Sequence, residues 1–334
     1  MNVTLISKFF TTEGTGIGSM SRSLVEGLSS INNLNLNLLS LNDINFPNIH
    51  PFNYFYFILQ GSKKVNTDKY KNSDVFHALT PLESFNTDKK KTVTSLMDFI
   101  ALNERNVSFK HKLLAKIYEK GIEHTIKSER IIVLNPDLAK TLNEKYGVDE
   151  SIIEVIAPPI ADNFYPKNEK HETFNIGTLS SLGYRKRVDL LIKAFMKADI
   201  ENSKLLLAGT GPNMEEFKKL AANDERIEFL GFVPDEEIND FYNSLDLFVF
   251  PTSLEGYGMP IVEAMGAGKP VITLDDAIIP SNLAKHTYVT SINDLPDVLS
   301  NKSYKCDIKE NIKFYNEHSI DKIASKYYKV YESI

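Results

Sequence analysis

Short runs of β-branched and aromatic residues alternate along the chain with stretches of helical periodicity. Residues 3–10 form the first run, and a glycine-rich turn containing Gly16 and Gly18 leads from it into a helical pattern over about residues 19–28. Further strand-like runs follow at residues 52–59, 75–78, 92–96 and 131–134. This alternation predicts a parallel sheet that is covered by helices on both faces.

The composition of the sequence changes between residues 157 and 173. Three prolines occur there, and most of the segment has neither helical nor strand periodicity. We interpret this segment as a domain linker. A second alternating series begins at residues 174–179 and continues at 205–208, 227–230, 247–251 and 271–274. The pattern therefore predicts an N-terminal Rossmann-like domain over residues 1–165 and a C-terminal one over residues 166–310.

The end of the chain carries a single apolar stripe. Residues 311–334 are expected to be helical, with one stripe formed by Ile320, Ile323, Ala324, Tyr327 and Tyr331. Such a stripe needs a core to pack on, and the core of the N-terminal domain is one candidate.

Composition and charge narrow the class of protein. A chain of 334 residues with 42% hydrophobic and 25% charged residues suits a folded protein of two domains. The formal net charge of −6 argues against nucleic acid as a partner. One cysteine, Cys306, allows no internal disulfide, and no run of about eighteen apolar residues occurs, so we expect a cytoplasmic protein.

A lysine-rich segment over residues 109–130 has two interpretations. Its apolar residues include Leu113, Leu114, Ile117 and Ile126, and its lysines are Lys110, Lys112, Lys116, Lys120 and Lys127. We favour an amphipathic helix that covers the N-terminal sheet and leaves its basic face in water. The alternative is a peripheral helix on an anionic membrane, such as the inner face of the cell membrane.

The candidate chemistry is concentrated between residues 247 and 273. A buried strand runs into a loop with two glycines, and Pro260 then occupies a first helical position. Glu255 lies in the loop and Glu263 lies eight positions later in the helix. Ligands of parallel α/β sheets bind beyond the carboxyl ends of strands, and helix N-termini attract anionic oxygens, so a ligand site is expected here.

The segment from Glu255 to Met265 resembles the E-x7-E signature of the retaining glycosyltransferases of family four, the glycosyl transferases group 1. Residues 174–179, the basic residues Arg185 and Lys186, and the glycine turn at residues 207–212 also resemble that family. The resemblance implies an α/β fold of the GT-B type, with two facing Rossmann-like domains and a cleft between them. It also implies transfer of a sugar from a nucleoside diphosphate sugar.

The resemblance further implies a role for each matching residue. Arg185 and Lys186 would stabilise the leaving diphosphate, and Glu255 would contact the donor sugar near the reacting carbon. Glu263 would bind the nucleotide ribose. The other expected donor-binding residues are Gly16, Gly18, Gly209, Val233, Tyr257, Gly258 and Met259. No D-x-D pair or zinc motif occurs, so we expect neither a metal nor a cofactor beyond the nucleotide sugar.

Two departures from the family pattern leave alternatives open. Thr178 stands where the family commonly has an arginine, and Met97-Asp98 stands where it often has His-Asp, which leaves Asp98 as an acceptor-side candidate. A noncatalytic glycosyltransferase-like binding protein is therefore the first alternative. A Rossmann-type oxidoreductase is a weaker one, because the glycine fingerprint at Gly16 and Gly18 is incomplete. The acceptor, whether a glycan, a lipid or a small molecule, is not indicated.

Overall fold

The computed structural model describes residues 1–11, 14–43, 60, 63–87, 91–167, 169–222 and 224–334. Its contacts divide the chain into two compact units. The N-terminal unit consists of Met1–Ile160 and His318–Ile334, and the C-terminal unit consists of Ala161–Glu317. The corresponding boundaries expected from the sequence lie at residues 165 and 310.

The N-terminal unit contains a parallel sheet of six described strands. These are β1 (Asn2–Ile6), β2 (Asn35–Leu39), β3 (Val75–Ala78), β4 (Thr92–Leu96), β5 (Arg130–Val133) and β6 (Ile153–Val155), in the spatial order β2-β1-β3-β4-β5-β6. Strands β3 and β4 are buried along their whole length, as expected for a sheet covered on both faces. The predicted strand at residues 52–59 lies outside the described residues.

The described helices of this part of the chain are α1 (Gly16–Ser29), α2 (Ile100–Asn103), α3 (Phe109–Thr125) and α4 (Pro136–Tyr146). Side-chain caps define where several of them begin: Thr15 caps α1, Ser108 caps α3 and Asn135 caps α4. Helix α4 ends at Gly147, which adopts a left-handed conformation with φ of 66°.

The C-terminal unit contains a second parallel sheet. Its strands are β7 (Phe174–Leu179), β8 (Ser203–Ala208), β9 (Ile227–Gly231), β10 (Leu247–Phe250), β11 (Val271–Leu274) and β12 (Tyr288–Thr290), in the spatial order β12-β11-β10-β7-β8-β9. From β7 the chain adds β8 and β9 toward one edge of the sheet, and from β10 it adds β11 and β12 toward the other edge. The topological switch point of this doubly wound sheet therefore lies between β7 and β10.

Seven described helices accompany this sheet: α5 (Val188–Lys197), α6 (Met214–Ala221), α7 (Ile238–Asn243), α8 (Met259–Gly266), α9 (Ser281–Ala284), α10 (Leu295–Asn301) and α11 (Ile308–Asn316). Buried residues of α5, including Leu191 and Phe195, pack in one cluster with Leu205 and Val249 of the sheet. Among the described helices of the whole chain, none is both long enough and apolar enough to cross a bilayer.

The last helix, α12 (Ile320–Glu332), belongs to the N-terminal unit. Residues 311–334 therefore form parts of two helices, α11 and α12, where one was expected. Helix α12 packs on α1 at Gly27, where an added Cβ atom would lie 2.7 Å from the Cβ of Ala324. The predicted stripe residues Ile323, Tyr327 and Tyr331 are buried.

A buried histidine joins α12 to the N-terminal sheet. His77 of β3 contacts the Tyr331 hydroxyl through Nδ1 at 2.7 Å and the Ser95 hydroxyl through Nε2 at 2.9 Å. Burial lowers the pKa of His77 to about 3, so the ring is neutral at physiological pH. The ring therefore takes part in the packing of α12 as an uncharged hydrogen-bonding group.

Candidate functional site

The switch point of the C-terminal sheet brings two sequence-distant loops together. The loop after β7 contains the 3-10 turn Tyr184–Lys186, and the loop after β10 contains Glu255. The backbone amide of Ser253 donates to the Arg185 carbonyl at 2.9 Å, which ties one loop to the other. Because the carboxyl ends of adjacent parallel strands meet at one edge, both loops lie where this fold class binds ligands.

Glu255, Lys186 and Arg185 form one ion-pair cluster at this edge. The Glu255 Oε1 atom lies 2.5 Å from Lys186 Nζ and 3.1 Å from Arg185 Nη1, and it accepts the Thr252 hydroxyl at 2.6 Å. Arg185 Nη1 also donates to the Leu254 carbonyl. The structure thus places together the three residues that were expected to act in catalysis, on the leaving diphosphate and on the donor sugar.

The cluster carries excess positive charge in a poorly hydrated place. The side chains of Lys186 and Glu255 are only 11% and 9% exposed, so two cations share one largely buried carboxylate. Burial lowers the pKa of Lys186, the Glu255 charge opposes this shift and the Arg185 charge adds to it. The Lys186 ammonium also lies 4.9 Å from the centre of the Phe250 ring. This arrangement suits a ligand that brings further negative charge.

Arg187 braces the loop that leads to Glu255. Its Nε and Nη2 atoms donate to the carbonyls of Pro251 and Thr252, each at 2.8 Å, and its guanidinium pairs with Asp276 at 2.6 and 2.8 Å. Arg187 adopts φ of 49°, a left-handed conformation that is uncommon for residues other than glycine. We therefore consider Arg187 a positioning residue. Its neighbours in sequence gave no signal of this role, which depends on three loops meeting in space.

Glu263 lies in α8 and is buried, with the Tyr242 hydroxyl beside its carboxylate. Its Oε2 atom accepts the Tyr242 hydroxyl at 2.8 Å. Burial raises the pKa of Glu263 to about 7, and the hydrogen bond from Tyr242 opposes that shift. Tyr242 was not predicted, because a tyrosine 21 positions upstream in a separate helix has no sequence feature that links it to Glu263.

The residues before α8 have the conformation that the glycine-rich loop suggested. Gly258 adopts φ of 98° immediately before the helix, which favours glycine at this position. Tyr257 and Met259 on either side of it are buried. Burial raises the pKa of the Tyr257 hydroxyl, so this group remains protonated. The Gly258 conformation sets the direction in which the helix leaves the loop.

Gly209 lies directly after β8, and Val233 lies after β9. Gly209 adopts φ of 111°, and an added Cβ atom would lie 1.9 Å from the Ser180 carbonyl oxygen. Gly209 is thus required for the close approach of the loops after β7 and β8. Val233 is half-buried in the loop after β9. These positions provide a structural reason for the glycine, while a donor contact stays a prediction.

The remaining predicted residues belong to the N-terminal unit. Gly16 is exposed and Gly18 is buried in the first turn of α1, where the Gly18 amide donates to the Thr15 hydroxyl at 3.2 Å. Asp98 is half-buried after β4, and its Oδ1 accepts the Ile100 amide at 2.9 Å. Asp98 is thus hydrogen-bonded to the first residue of α2, and its acceptor-side role stays a prediction.

The two departures from the family pattern are both buried. Thr178 is fully buried within β7, and Met97 is 5% exposed after β4. Neither side chain supplies the charge of the arginine or the histidine that the family often has at that position. Among the described residues, no three His, Cys, Asp or Glu side chains are grouped as metal ligands.

Comparison with known families finds a match within the C-terminal unit. Residues 160–294 match the profile of the family described as glycosyl transferases group 1. The predicted resemblance to this family is thus confirmed over the matched residues, which include the ion-pair cluster, Glu263 and Tyr242.

Individual relatives agree with this assignment. Mannosylfructose-phosphate synthase of Agrobacterium fabrum is 29% identical over 183 residues, which cover 46% of this chain and 40% of the relative. The chain spans less than half the length of the first curated relatives that it matches.

Two solved structures share the fold. Sucrose-phosphate synthase of Thermosynechococcus elongatus superposes with a TM-score of 0.80 at 16% identity, covering 100% of this chain and 98% of the other. Anabaena HepE in complex with UDP and glucose gives a TM-score of 0.74 at 15% identity, covering 100% of both chains. The predicted α/β fold of the GT-B type is confirmed.

Proposed function

We propose that the protein transfers a sugar from a nucleoside diphosphate sugar to an acceptor. One observation carries this proposal: Lys186, Arg185 and Glu255 are paired at the carboxyl edge of a doubly wound sheet, at its switch point. A diphosphate leaving group gains negative charge as the glycosidic bond breaks, and two cations held in a poorly hydrated site stabilise that charge.

The proposed reaction proceeds with retention of anomeric configuration. The bond between the anomeric carbon and the diphosphate oxygen breaks, and the acceptor oxygen forms a new bond to that carbon on the same face. The acceptor proton passes to the departing diphosphate, so no protein nucleophile is needed. Glu255 would contact the donor sugar, while Glu263 would accept hydrogen bonds from the ribose hydroxyls.

We further propose that the reaction is independent of a metal ion. In metal-dependent transfer the ion neutralises the diphosphate; here Lys186 and Arg185 supply positive charge at the same point in the chemistry. Both side chains are directed at one carboxylate, so a phosphate oxygen can replace that carboxylate without new cations being required.

Uridine diphosphate is the first donor nucleotide to test, because HepE of the same fold was solved with UDP. Relatives such as mannosylfructose-phosphate synthase support a hexose as the transferred sugar. The acceptor is a glycan, a lipid or a small molecule with a hydroxyl group.

The test is release of nucleoside diphosphate from uridine, guanosine and adenosine diphosphate sugars by the purified chain, with and without EDTA. We expect one donor to be consumed, with EDTA having no effect. Lys186→Ala should abolish turnover, whereas Lys193→Ala should not, because Lys193 is an exposed lysine paired with Asp189 on α5. Saturable donor binding without turnover for any acceptor would instead indicate a noncatalytic binding protein.

A further inference from the structure

We propose that Glu83 is a positioning residue for sugar transfer, which acts by fixing where the chain leaves β1. Glu83 lies in the 3-10 turn Pro81–Asn86 that follows β3, and it is only 1% exposed. Its Oε1 atom accepts the backbone amide of Lys8 at 2.9 Å. Lys8 is the second residue after β1, so one buried carboxyl group joins the loops that follow two strands. The proposal rests on the proposed function and adds to it a residue of the N-terminal unit.

The two loops meet at the switch point of the N-terminal sheet. In this sheet β2 lies on one side of β1, whereas β3, β4, β5 and β6 follow on the other side. The Leu79 amide donates to the Ile6 carbonyl at 3.1 Å where the two central strands end, and the contact between Glu83 and Lys8 lies beyond it in both loops. Ligands of open parallel sheets bind outside the carboxyl ends of the strands at such a point. Glu83 therefore holds a loop that is placed to contact a ligand.

The Glu83 carboxyl group is buried at a free-energy cost that packing alone does not require. Its Oε2 atom is buried and has no hydrogen-bond partner among the described residues. Burial raises the pKa of Glu83 to about 8, and the Lys8 amide, the Lys8 charge and the hydroxyls of Thr80 and Ser7 oppose this rise. Buried polar groups that are not fully satisfied destabilise a fold, and titratable groups perturbed by burial are concentrated at functional sites. The carboxyl group therefore needs a reason other than filling space.

The sequence around Glu83 has the pattern of a helix cap, but its side chain also reaches a distant loop. Thr80 and Glu83 have the capping-box spacing, in which the acid returns to the backbone amide of the N-cap residue. Thr80 does precede the 3-10 turn as its N-cap residue, although its side chain makes no capping hydrogen bond. The Glu83 Oε1 atom contacts Lys8, which is 75 positions away in the sequence. The side chain thus connects two loops and does not serve its own turn alone.

Lys8 lies near the start of the segment that leads from β1 to Gly16 and Gly18, two of the predicted donor-binding residues. The Lys8 backbone is held at one end of this segment, and the capped first turn of α1 is held at the other. Groups that are held in one arrangement before the reaction lower its barrier, because little further ordering is needed in the transition state. The proposed contacts to the diphosphate and the ribose belong to the C-terminal unit. We therefore expect Glu83 to affect the rate of transfer and not the affinity for UDP.

The test compares Glu83→Ala with Glu83→Gln in the full chain. Glutamine keeps an oxygen that can accept the Lys8 amide, whereas alanine removes that acceptor. Hydrogen exchange at the Lys8 amide should become at least about 10-fold faster in Glu83→Ala and should change much less in Glu83→Gln. With a donor that the unmodified chain consumes, Glu83→Ala should lower kcat at least about 10-fold and change the Kd for UDP less than about 2-fold. Glu83→Gln should recover most of the lost kcat.

Two controls separate positioning from stability. Asp74→Ala removes an exposed carboxylate that accepts the Asn2 amide at 2.7 Å, at the opposite end of the same two strands. Gly27→Ala destabilises the same unit by crowding α1 against α12. Both controls should keep the kcat of the unmodified chain at a temperature where every variant is folded.

Three results would overturn the positioning role: unchanged exchange at the Lys8 amide in Glu83→Ala, equal kcat values for Glu83→Ala and Glu83→Gln, or an equal loss of kcat in the controls. Exchange is measured without substrate, so its result does not depend on whether a donor is consumed. If the unmodified chain consumed no donor, the proposed function would fail, and with it any role of Glu83 in transfer. Exchange at Lys8 would then still show whether Glu83 holds the loop.

Discussion

Replacing Glu255 with glutamine separates the two effects that the ion-pair cluster should have, on stability and on ligand binding. Glu255→Gln keeps the volume and one acceptor oxygen but removes the carboxylate shared by Lys186 and Arg185. The free protein should lose stability, because two cations then remain close together in a largely buried place. A bound diphosphate should restore the missing negative charge.

The magnitude follows from the burial of the pair. Removing one partner of a buried ion pair costs about 3–5 kcal/mol. Because the Arg185 side chain is 27% exposed and glutamine can still accept a hydrogen bond, we expect the lower end of that range. For a unit of this size, a loss of about 3 kcal/mol lowers the melting temperature by roughly 6–12 °C.

The assay compares melting temperatures with and without UDP, together with calorimetric titration of UDP. We expect UDP to stabilise Glu255→Gln more than it stabilises the unmodified chain, while the rate of sugar transfer falls by about 100-fold or more. Glu228→Gln is the matched control, because Glu228 pairs with Lys204 in the same sheet but both side chains are more than 40% exposed. That pair should contribute less than about 1 kcal/mol. Equal melting of Glu255→Gln and the unmodified chain, or weaker stabilisation by UDP, would refute the reasoning.

Three further perturbations test other parts of the structure. Arg187→Lys keeps the positive charge but loses the planar guanidinium that contacts two carbonyls and Asp276. We therefore expect a lower kcat with little change in UDP affinity, and the kcat of Arg187→Ala should be no higher than that of Arg187→Lys. Burial raises the Glu263 pKa from 4.5 to about 7, so its contribution to stability is present below pH 4.5 and is lost as the pH rises to 7. When the free energy of unfolding in urea is measured against pH, Glu263→Gln should remove this loss, which amounts to about 3 kcal/mol. Gly27→Ala places a Cβ atom 2.7 Å from that of Ala324, and chemical denaturation should show a loss of about 1–3 kcal/mol in the N-terminal unit, with UDP binding unchanged.

The arrangement of strands and helices was predictable because it is encoded locally. Periods of two and 3.6 residues, and buried runs such as residues 247–250, show which segments form strands and which form helices. The end of the chain shows the limit of that signal. One apolar stripe predicted one helix over residues 311–334, but the chain there contributes one helix to each unit, separated at Glu317 and His318.

The candidate site was predictable where a contiguous motif carries it. Glu255 and Glu263 lie in one segment, and the Arg185-Lys186 pair follows a recognisable strand. Arg187 was missed because it contacts loop residues that are 64 to 89 positions away in the sequence. Tyr242 was missed because its contact with Glu263 joins two separate helices. The exposure of Leu113 and Leu114 could not be predicted either, because helical periodicity shows which side of a helix is apolar but not whether a core packs against that side.

The most direct test of the central claim is a crystal structure with the donor that the nucleoside diphosphate release assay identifies. We expect the diphosphate to contact Lys186 and Arg185, displacing part of their interaction with Glu255, and the ribose hydroxyls to contact Glu263. A nucleotide sugar bound elsewhere on the chain, with the Lys186–Glu255 ion pair unchanged, would contradict it.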